Sequence, residues 1–194
     1  REMILYFISD DFKELEKMSE EWLEKKYPPD PTMHTHSSVK IVLETARRQN
    51  FQFTHTQAMA SAMHDLLLEH KVYYGNVYHD CLFGVTLMLQ GELGQAEIYY
   101  NKAKQQAIDL QGQMSTLASM PGLLLAELCY QQNRLEEARM FVNEHIENCT
   151  QLGLVDQLVA GFITKTRLHI HDNNLTAAFD TLNEAEKLYV RFGF

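Results

Sequence analysis

Two histidine pairs have spacings that short metal-binding segments use, His34-x-His36 and His169-x-His171. Protein zinc sites need His or Cys side chains that converge on one point. On an α-helix, residues two apart point about 200° away from each other, so His169 and His171 do not converge. We expect His34 and His36 in a loop without Cys or acidic neighbours. The sequence therefore predicts no metal site.

The sequence contains neither of two common catalytic motifs. Neither G-x-S-x-G nor H-E-x-x-H occurs, and acidic pairs such as Glu20-Glu21 and Glu136-Glu137 are typical of solvated helix faces. The three cysteines, Cys81, Cys129 and Cys149, form no C-x-x-C motif, which fits reduced thiols in the cytoplasm. We predict a cytoplasmic chain that is not an enzyme and holds no cofactor.

The charge balance argues against nucleic acid as a partner. The formal net charge is −9, whereas phosphate contacts need clustered Lys and Arg. The densest basic clusters are only Lys25-Lys26 and Arg47-Arg48.

The sequence also shows no membrane segment. No apolar run approaches the roughly 18 residues of a membrane span, and no signal peptide opens the chain. We expect no direct contact with nucleic acid or a membrane.

The composition and the repeating motifs predict a chain built from α-helices. Glycine (9) and proline (4) are scarce, and helix-forming residues are dense, which favours an all-α fold. A polar turn followed by Phe or Leu recurs at intervals of 39, 42, 42 and 40 residues, and a closing glycine recurs at intervals of 41 and 40. A fixed period of this length indicates a repeat array. The recurring residues are Phe12, Phe51, Leu93, Leu135 and Leu175, with Gly112, Gly153 and Gly193; Phe53 is an alternative to Phe51.

We therefore predict one helical repeat domain over residues 1–194, with about four and a half hairpins and turns near 9–12, 49–53, 91–94, 132–135 and 172–175. Its third hairpin should comprise helices from about Val77 to Gln90 and from about Gln95 to Gln111. Capping boxes are predicted at Asp11 with Glu14 and at Asn133 with Glu136. A small residue stands three positions after the last three turn leucines, where two helices come closest: Ala96, Ala138 and Ala178.

Stacked hairpins curve and present the first helix of each pair on a concave surface. Gly84 sets the phase, because glycine inside a helix costs about 1 kcal/mol relative to alanine and is explained by close approach of a neighbouring helix. Side chains that face away from the hairpin partner combine Tyr, Met and one charge of each sign, which suits a ligand surface. They are Tyr78, Cys81, Val85, Met88, Met120, Glu127, Tyr130, Ile163, Arg167 and Ile170. The alternative is that most of them pack inside a tight array.

The third repeat resembles a tetratricopeptide (TPR) hairpin. Asp80 to Leu87 approximates Leu-x-x-Phe-Gly-x-x-Leu, and Gly91-Glu92-Leu93-x-x-Ala96-x-x-x-Tyr100-x-x-Ala103 follows the consensus for the turn and second helix. The period exceeds the 34 residues of ordinary TPRs. Longer hairpins ending in Leu152-Gly153 and Phe192-Gly193, together with Asn133-Arg134-Leu135-Glu136-Glu137-Ala138, resemble the repeat region of MalT-like bacterial transcription activators.

This resemblance implies a right-handed superhelix of TPR-like hairpins that senses an effector and mediates protein interactions. In such regulators it signals to an ATP-binding switch domain and to a C-terminal DNA-binding domain of the LuxR type. Neither a phosphate-binding Gly-rich loop nor a helix-turn-helix occurs in these 194 residues. The implied partners are a small effector or a regulatory protein or peptide, and neighbouring domains of the same polypeptide. The exposed ends of such an array also permit homo-oligomers.

Two other functions are compatible with the same residues. One is a generic TPR scaffold that binds a peptide of a partner protein, and the other is an accessory repeat domain of a signalling enzyme. The chain begins at Arg1 without methionine and ends just past Gly193, so we expect it to be a piece of a longer protein.

Overall fold

The structure is a computed structural model that describes residues 11–24, 34–54, 64, 67, 69, 71–112, 115–152 and 155–191. These residues form eight α-helices and no β-strand. The helices are α1 Phe12–Glu24, α2 His34–Gln49, α3 Tyr73–Leu89, α4 Leu93–Gln111, α5 Ser119–Gln131, α6 Leu135–Leu152, α7 Val155–His171 and α8 Leu175–Arg191. The predicted all-α fold of helical hairpins is confirmed.

The chain divides into two compact units. Unit 1 is Arg1–Gly91 and unit 2 is Glu92–Phe194. Unit 1 contains α1, α2 and α3, and unit 2 contains α4 to α8. The single domain predicted over residues 1–194 stays a prediction.

The turns that close four of the helices share one backbone conformation. Two residues after the helix ends, each turn has a residue with positive φ: Phe51 at 59°, Gly91 at 83°, Asn133 at 60° and Asn173 at 58°. At Phe51, Asn133 and Asn173, this residue and the next donate backbone N–H groups to carbonyls three and five residues earlier, respectively. This pattern is the Schellman motif, which caps a helix C-terminus. The turns recur at intervals of 40, 42 and 40 residues, so the predicted period of about 40 is confirmed.

The second repeat is aligned by Phe53, the alternative to Phe51. A helical segment begins at Phe53, two residues after the positive-φ residue, as it does at Leu93, Leu135 and Leu175. Phe51 instead occupies the position that Gly91 and Asn133 hold in their own turns. Because bulky residues rarely adopt positive φ, the sequence alone did not single out Phe51 for this position.

The predicted capping box at Asn133 and Glu136 is wrong. Asn133 has positive φ and ends the Schellman motif of α5, and Arg134 directly precedes α6. The other predicted box is half formed: the Asp11 carboxylate accepts the N–H of Glu14 at 3.3 Å, while the Glu14 carboxylate accepts from Lys17. A cap that the sequence did not suggest occurs at Asn174, whose Oδ1 accepts the N–H of Ala177 at 3.1 Å.

Two helices begin earlier than predicted. Lys71 has φ of 57°, and the N–H of Val72 bonds to the carbonyl of Leu67, so α3 starts at Tyr73 rather than near Val77. The structure also places His34 and His36 in α2 rather than in a loop. The neighbouring prolines restrict the residues that precede them and not those that follow, so a helix can begin at His34. The helix α4 ends at Gln111 as predicted.

Unit 2 is built from two hairpins, α5/α6 and α7/α8, with α4 packed against α5. Successive hairpins join through contacts of α6 with α7 and of α5 with α7. The core has two clusters, one around Ala126, Cys129, Ala138, Val142 and Leu168, the other around Leu123, Cys149, Leu158 and Phe162. Ala96, Ala138 and Ala178 are all buried.

Two glycines of unit 2 allow close packing. A Cβ on Gly122 of α5 would overlap the imidazole of His145 on α6, and a Cβ on Gly161 of α7 would lie 2.9 Å from Leu123 of α5. Gly84, from which the phase was set, is buried within α3. Its close approach to a neighbouring helix stays a prediction.

Unit 1 is held together by polar as well as apolar contacts. Leu15 of α1 and Leu43 of α2 are buried, and α1 packs along α2. At the end of α2, the Asn50 amide donates to the carboxylate of Glu16 at 2.7 Å. The Arg48 guanidinium donates to the carbonyl of Leu82 at 3.3 Å, which links α2 to α3.

Candidate binding face

Two first helices of consecutive hairpins, α5 and α7, lie side by side in unit 2. Gly161 favours their close contact, because a Cβ at this position would lie 2.9 Å from the Leu123 side chain, which would have to shift. This packing brings together five of the residues predicted to bind a ligand. We call them the α5–α7 face: Glu127, Tyr130, Ile163, Arg167 and Ile170.

Side chains of α7 leave an apolar stripe uncovered on this face. Ile163 and Ile170 are 39% and 52% exposed, and Val159, which was not among the predicted residues, is 46% exposed. Residues 159, 163 and 170 follow helical spacing, so they lie on one side of α7. Large apolar side chains grouped at a surface commonly mark an interaction site.

A cation and an aromatic ring meet beside this stripe. The guanidinium of Arg167 lies 5.8 Å from the ring centre of Tyr130, within the range of a cation–π contact. Burial raises the pKa of Glu127 above its ordinary value, while Arg167 and a hydrogen bond with Gln131 act in the opposite direction. The face therefore offers apolar contacts with one fixed cation, partly balanced by a carboxyl group. Such a surface can hold a ligand that has an apolar part and an acidic group.

The other predicted ligand residues do not join this face. Cys81 and Met120 are fully buried, so neither presents its side chain at the surface. Tyr78, Val85 and Met88 are half-buried on α3 of unit 1. A ligand contact at any of the ten residues stays a prediction.

Sequence reasoning missed a buried polar cluster in unit 1. Nε2 of His79 lies 3.4 Å from Oε2 of Glu44, and Nδ1 of His64 lies 3.1 Å from Oδ1 of Asp80. Glu44, His79 and Asp80 are almost completely buried. Burial raises the pKa of Glu44 to about 7, against the smaller opposing effects of His79 and Arg48. The sequence does contain a signal for this cluster, because Glu44 is an acidic residue inside an apolar stretch, next to Leu43 and two residues before Ala46.

A second missed cluster lies between α5 and α6. Nδ1 of His145 is 3.3 Å from the hydroxyl of Ser119, which also accepts from the amide of Asn148 at 3.2 Å. Burial lowers the pKa of His145 to about 4. Although a serine beside a histidine is the start of a nucleophilic site, Ser119 is fully buried and no substrate can reach it. The cluster is a core hydrogen-bond network.

Within the part of the chain that the structure describes, no group of three or more His, Cys, Asp or Glu is arranged to hold a metal ion. His169 and His171 lie two residues apart on α7 and so point in different directions. None of the described helices is both long and apolar enough to cross a membrane. Cys81, Cys129 and Cys149 are free thiols and buried.

Comparisons with known proteins support the helical repeat fold. No curated protein matches the chain. Among solved structures, the chain is similar to BtubC (BKLC) from P. vanneervenii, with 14% identity, a TM-score of 0.68, and coverage of 99% of this chain and 79% of that one. At this identity the likeness shows the fold alone.

The family model described as MalT-like TPR region matches residues 3–194, which include both units and the α5–α7 face. Repeat domains of the TPR type are typically non-catalytic scaffolds that mediate protein interactions. The resemblance stated from the turn and helix motifs is confirmed, and the chain belongs to the MalT-like TPR region family.

Proposed function

We propose that this chain is the effector-sensing and protein-interaction repeat domain of a MalT-like bacterial transcriptional regulator. It signals to ATP-binding and LuxR-type DNA-binding domains located elsewhere in the polypeptide. Family membership supports the regulator, and one structural observation supports the sensing role. On the α5–α7 face, Ile163 and Ile170 are exposed beside a cation that is held over Tyr130.

The proposed ligand is a small effector, or a short peptide segment, with an apolar or aromatic part and an acidic group. Its apolar part packs on Ile163 and Ile170, and its acidic group pairs with Arg167. Because α5 and α7 belong to consecutive hairpins, a ligand that touches both favours one spacing of the hairpins. Signalling requires that the ligand bind one arrangement more tightly than another.

A thermal-shift screen tests the binding role. It should include sugars, aromatic carboxylic acids and short peptides with apolar and acidic residues. An effector at 100 times its dissociation constant stabilises the folded protein by about 2.7 kcal/mol. Arg167→Ala and Ile170→Ser should remove the shift. The matched control is Lys165→Ala, because residues two apart on α7 point to different sides.

A thermal shift that persists in both variants would show that the effector binds elsewhere. If no small molecule shifts the melting temperature, but a partner's peptide binds and its binding is weakened by Ile170→Ser, a generic TPR scaffold is favoured instead. The domains of the full polypeptide separate the regulator from an accessory domain of a signalling enzyme. The regulator requires a nucleotide-binding Gly-rich loop and a helix-turn-helix outside residues 1–194.

The proposal also places the domain in the cytoplasm, where a transcriptional regulator acts. Three free, buried thiols support this placement, since reducing compartments keep cysteines unpaired. Contact with nucleic acid belongs to the separate DNA-binding domain, in keeping with the net charge of −9.

A further inference from the structure

Four ionisable side chains lie in a row where α2 meets α3 in unit 1. Oε2 of Glu44 on α2 is 3.4 Å from Nε2 of His79 on α3, and Nδ1 of His79 is 3.7 Å from Oδ1 of Asp80. Nδ1 of His64, from the segment between the two helices, is 3.1 Å from the same Asp80 oxygen. We call these four residues the α2–α3 cluster.

The α2–α3 cluster extends from the interior towards the surface. The side chains of Glu44, His79 and Asp80 are at most 2% exposed, whereas that of His64 is 15% exposed. Histidine exchanges protons with water near neutral pH. His64 therefore connects the buried groups of the cluster with protons in the solvent.

The corresponding junction in unit 2 is built without ionisable groups at these positions. Like α5 and α7, α2 and α3 are in contact and each end in one of the positive-φ turns. Counted back from those turns, Glu44 corresponds to Ala126 of α5, and His79 corresponds to Gly161 of α7. Replacing buried ion pairs by apolar side chains often leaves stability unchanged or raises it. Packing of two repeats therefore does not by itself require the charges of the α2–α3 cluster.

One proton decides how much charge the cluster holds. Burial raises the pKa of Glu44 to about 7, while His79 and Arg48 lower it and Asp80 adds to the rise. Oε1 of Glu44 has no hydrogen-bond partner among the described residues. When Glu44 loses its proton, this carboxylate and that of Asp80 share the same interior, and a buried charge without full pairing is costly.

The other charged groups at this junction are already engaged. Arg48 of α2 donates to the carbonyl of Leu82 on α3 at 3.3 Å. On the α1 side, Glu16 and Glu20 contact Arg47 at 3.6 and 2.6 Å. The cost of ionising Glu44 is therefore best relieved by contact with water.

We propose that the α2–α3 cluster is a proton-sensitive switch in the packing of the second repeat on the third. With Glu44 neutral, α2 stays packed on α3. With the carboxylate ionised, the two helices separate until water reaches the charge. Proton concentration then acts on the repeat array as an input that is separate from the ligand of the α5–α7 face.

Pulsed electron paramagnetic resonance on the full chain tests the switch. Spin labels at Gln49→Cys and Leu89→Cys, the exposed last residues of α2 and α3, report the separation of the two helices. A single short distance is expected at pH 5. The ratio of a second, longer distance to the short one should rise roughly tenfold from pH 6 to pH 8, as linkage to one proton requires.

Glu44→Gln in the labelled chain should keep the short distance at every pH, because the amide stays neutral. The matched control is Glu136→Gln at an exposed position of α6, which should retain the pH dependence of the wild type. A single distance at all pH values in the wild type would overturn the proposal. A pH dependence that persists in Glu44→Gln would overturn it as well.

His79→Gln tests whether the cluster, rather than Glu44 alone, sets the midpoint. Because His79 lowers the pKa of Glu44, its removal should move the transition to higher pH, and a midpoint that does not rise would contradict the switch as proposed. Circular dichroism at pH 6 should show unchanged helix content in each variant. If His79→Gln does not fold, the comparison of wild type with Glu44→Gln still decides, since glutamine closely matches glutamic acid in shape.

Discussion

At the scale of single residues, Gly122 of α5 determines how closely α5 and α6 pack, because it lies against the imidazole of His145. The imidazole of His145 stacks near the ring of Phe141, with ring centres 6.2 Å apart, and its Nδ1 lies beside the Ser119 hydroxyl. Gly122 leaves the space that this ring occupies. The α5/α6 contact thus depends on the absence of a side chain.

Gly122→Ala should destabilise the protein by about 1 to 3 kcal/mol, the usual cost of overpacking. The added methyl group must displace the His145 ring and with it the contact to Ser119. Urea unfolding measures the change. Gly94→Ala is the control, because Gly94 lies in the first turn of α4 with no atom within 4 Å of an added Cβ. A neutral Gly122→Ala would show that the hairpin tolerates wider spacing.

The buried carboxyl of Glu44 makes stability depend on pH. Its pKa is about 7 in the folded protein, raised from 4.5 by burial, so the folded state holds a proton that the unfolded state releases. The contribution to stability is fully present below pH 4.5 and is lost as the pH rises through about 7. Its size is about 3 kcal/mol, from 1.36 kcal/mol per pKa unit.

Glu44→Gln removes this titration. The unfolding free energy of wild type minus that of Glu44→Gln should therefore fall between pH 4.5 and 8, by an amount on the order of 3 kcal/mol. Urea unfolding at several pH values provides the measurement. Glu136→Gln, at an exposed position of α6, is the control and should give a constant difference. A constant difference for Glu44→Gln as well would contradict a raised pKa at that site.

At the scale of elements, one polar contact joins consecutive hairpins at the same register. The fifth residue of a second helix binds a residue beside the next positive-φ turn. Glu16 accepts from Asn50 and Gln52, Glu97 accepts from Arg134 at 2.7 Å, and Arg139 pairs with Asp172 at 3.0 Å. In the last pair the helix residue, Arg139, is the donor and the turn residue, Asp172, is the acceptor. The position of the contact is therefore the same, while the signs of the two charges are exchanged.

A double-mutant cycle on Glu97→Ala and Arg134→Ala should give a coupling of about 0.5 to 1 kcal/mol, the upper part of the range for partly exposed pairs. Urea unfolding of the two single variants and the double variant supplies the numbers. The comparison pair is Lys165 and Glu184, which is longer at 3.9 Å and more exposed at the carboxylate. Its coupling should be near zero. Equal coupling in both pairs would argue that the register of the contact has no energetic role.

At the scale of the whole molecule, unit 2 has what an independent fold needs. It contains both core clusters around Leu123 and Leu168 and two complete hairpins. Residues 92–194 expressed alone should therefore be helical by circular dichroism and unfold in one cooperative transition in urea. If this piece is unfolded, the two units depend on each other and the chain is the single domain predicted from its sequence.

The repeat period and the binding residues differed in how far sequence could predict them. Leu93, Leu135 and Leu175 recur because in each hairpin one helix ends and the next begins within a few residues. The turn motif involves only residues that are close in sequence, so the sequence alone can reveal it. Which side of a helix stays exposed depends on the next helix. Cys81 and Met120 were predicted at a surface and are buried, whereas Glu127, Tyr130 and Arg167 do meet across α5 and α7.

Sequence alone determined the all-α class, the hairpin period of about 40 residues and the family resemblance, because helix propensity and turn chemistry act between residues close in the chain. The three-dimensional packing was needed to show that Phe51 takes the left-handed turn position, that Glu44 and His79 are buried together, and that Ile163 and Ile170 stay exposed beside Arg167. Those features arise from packing between helices many residues apart, where burial and desolvation set the energies.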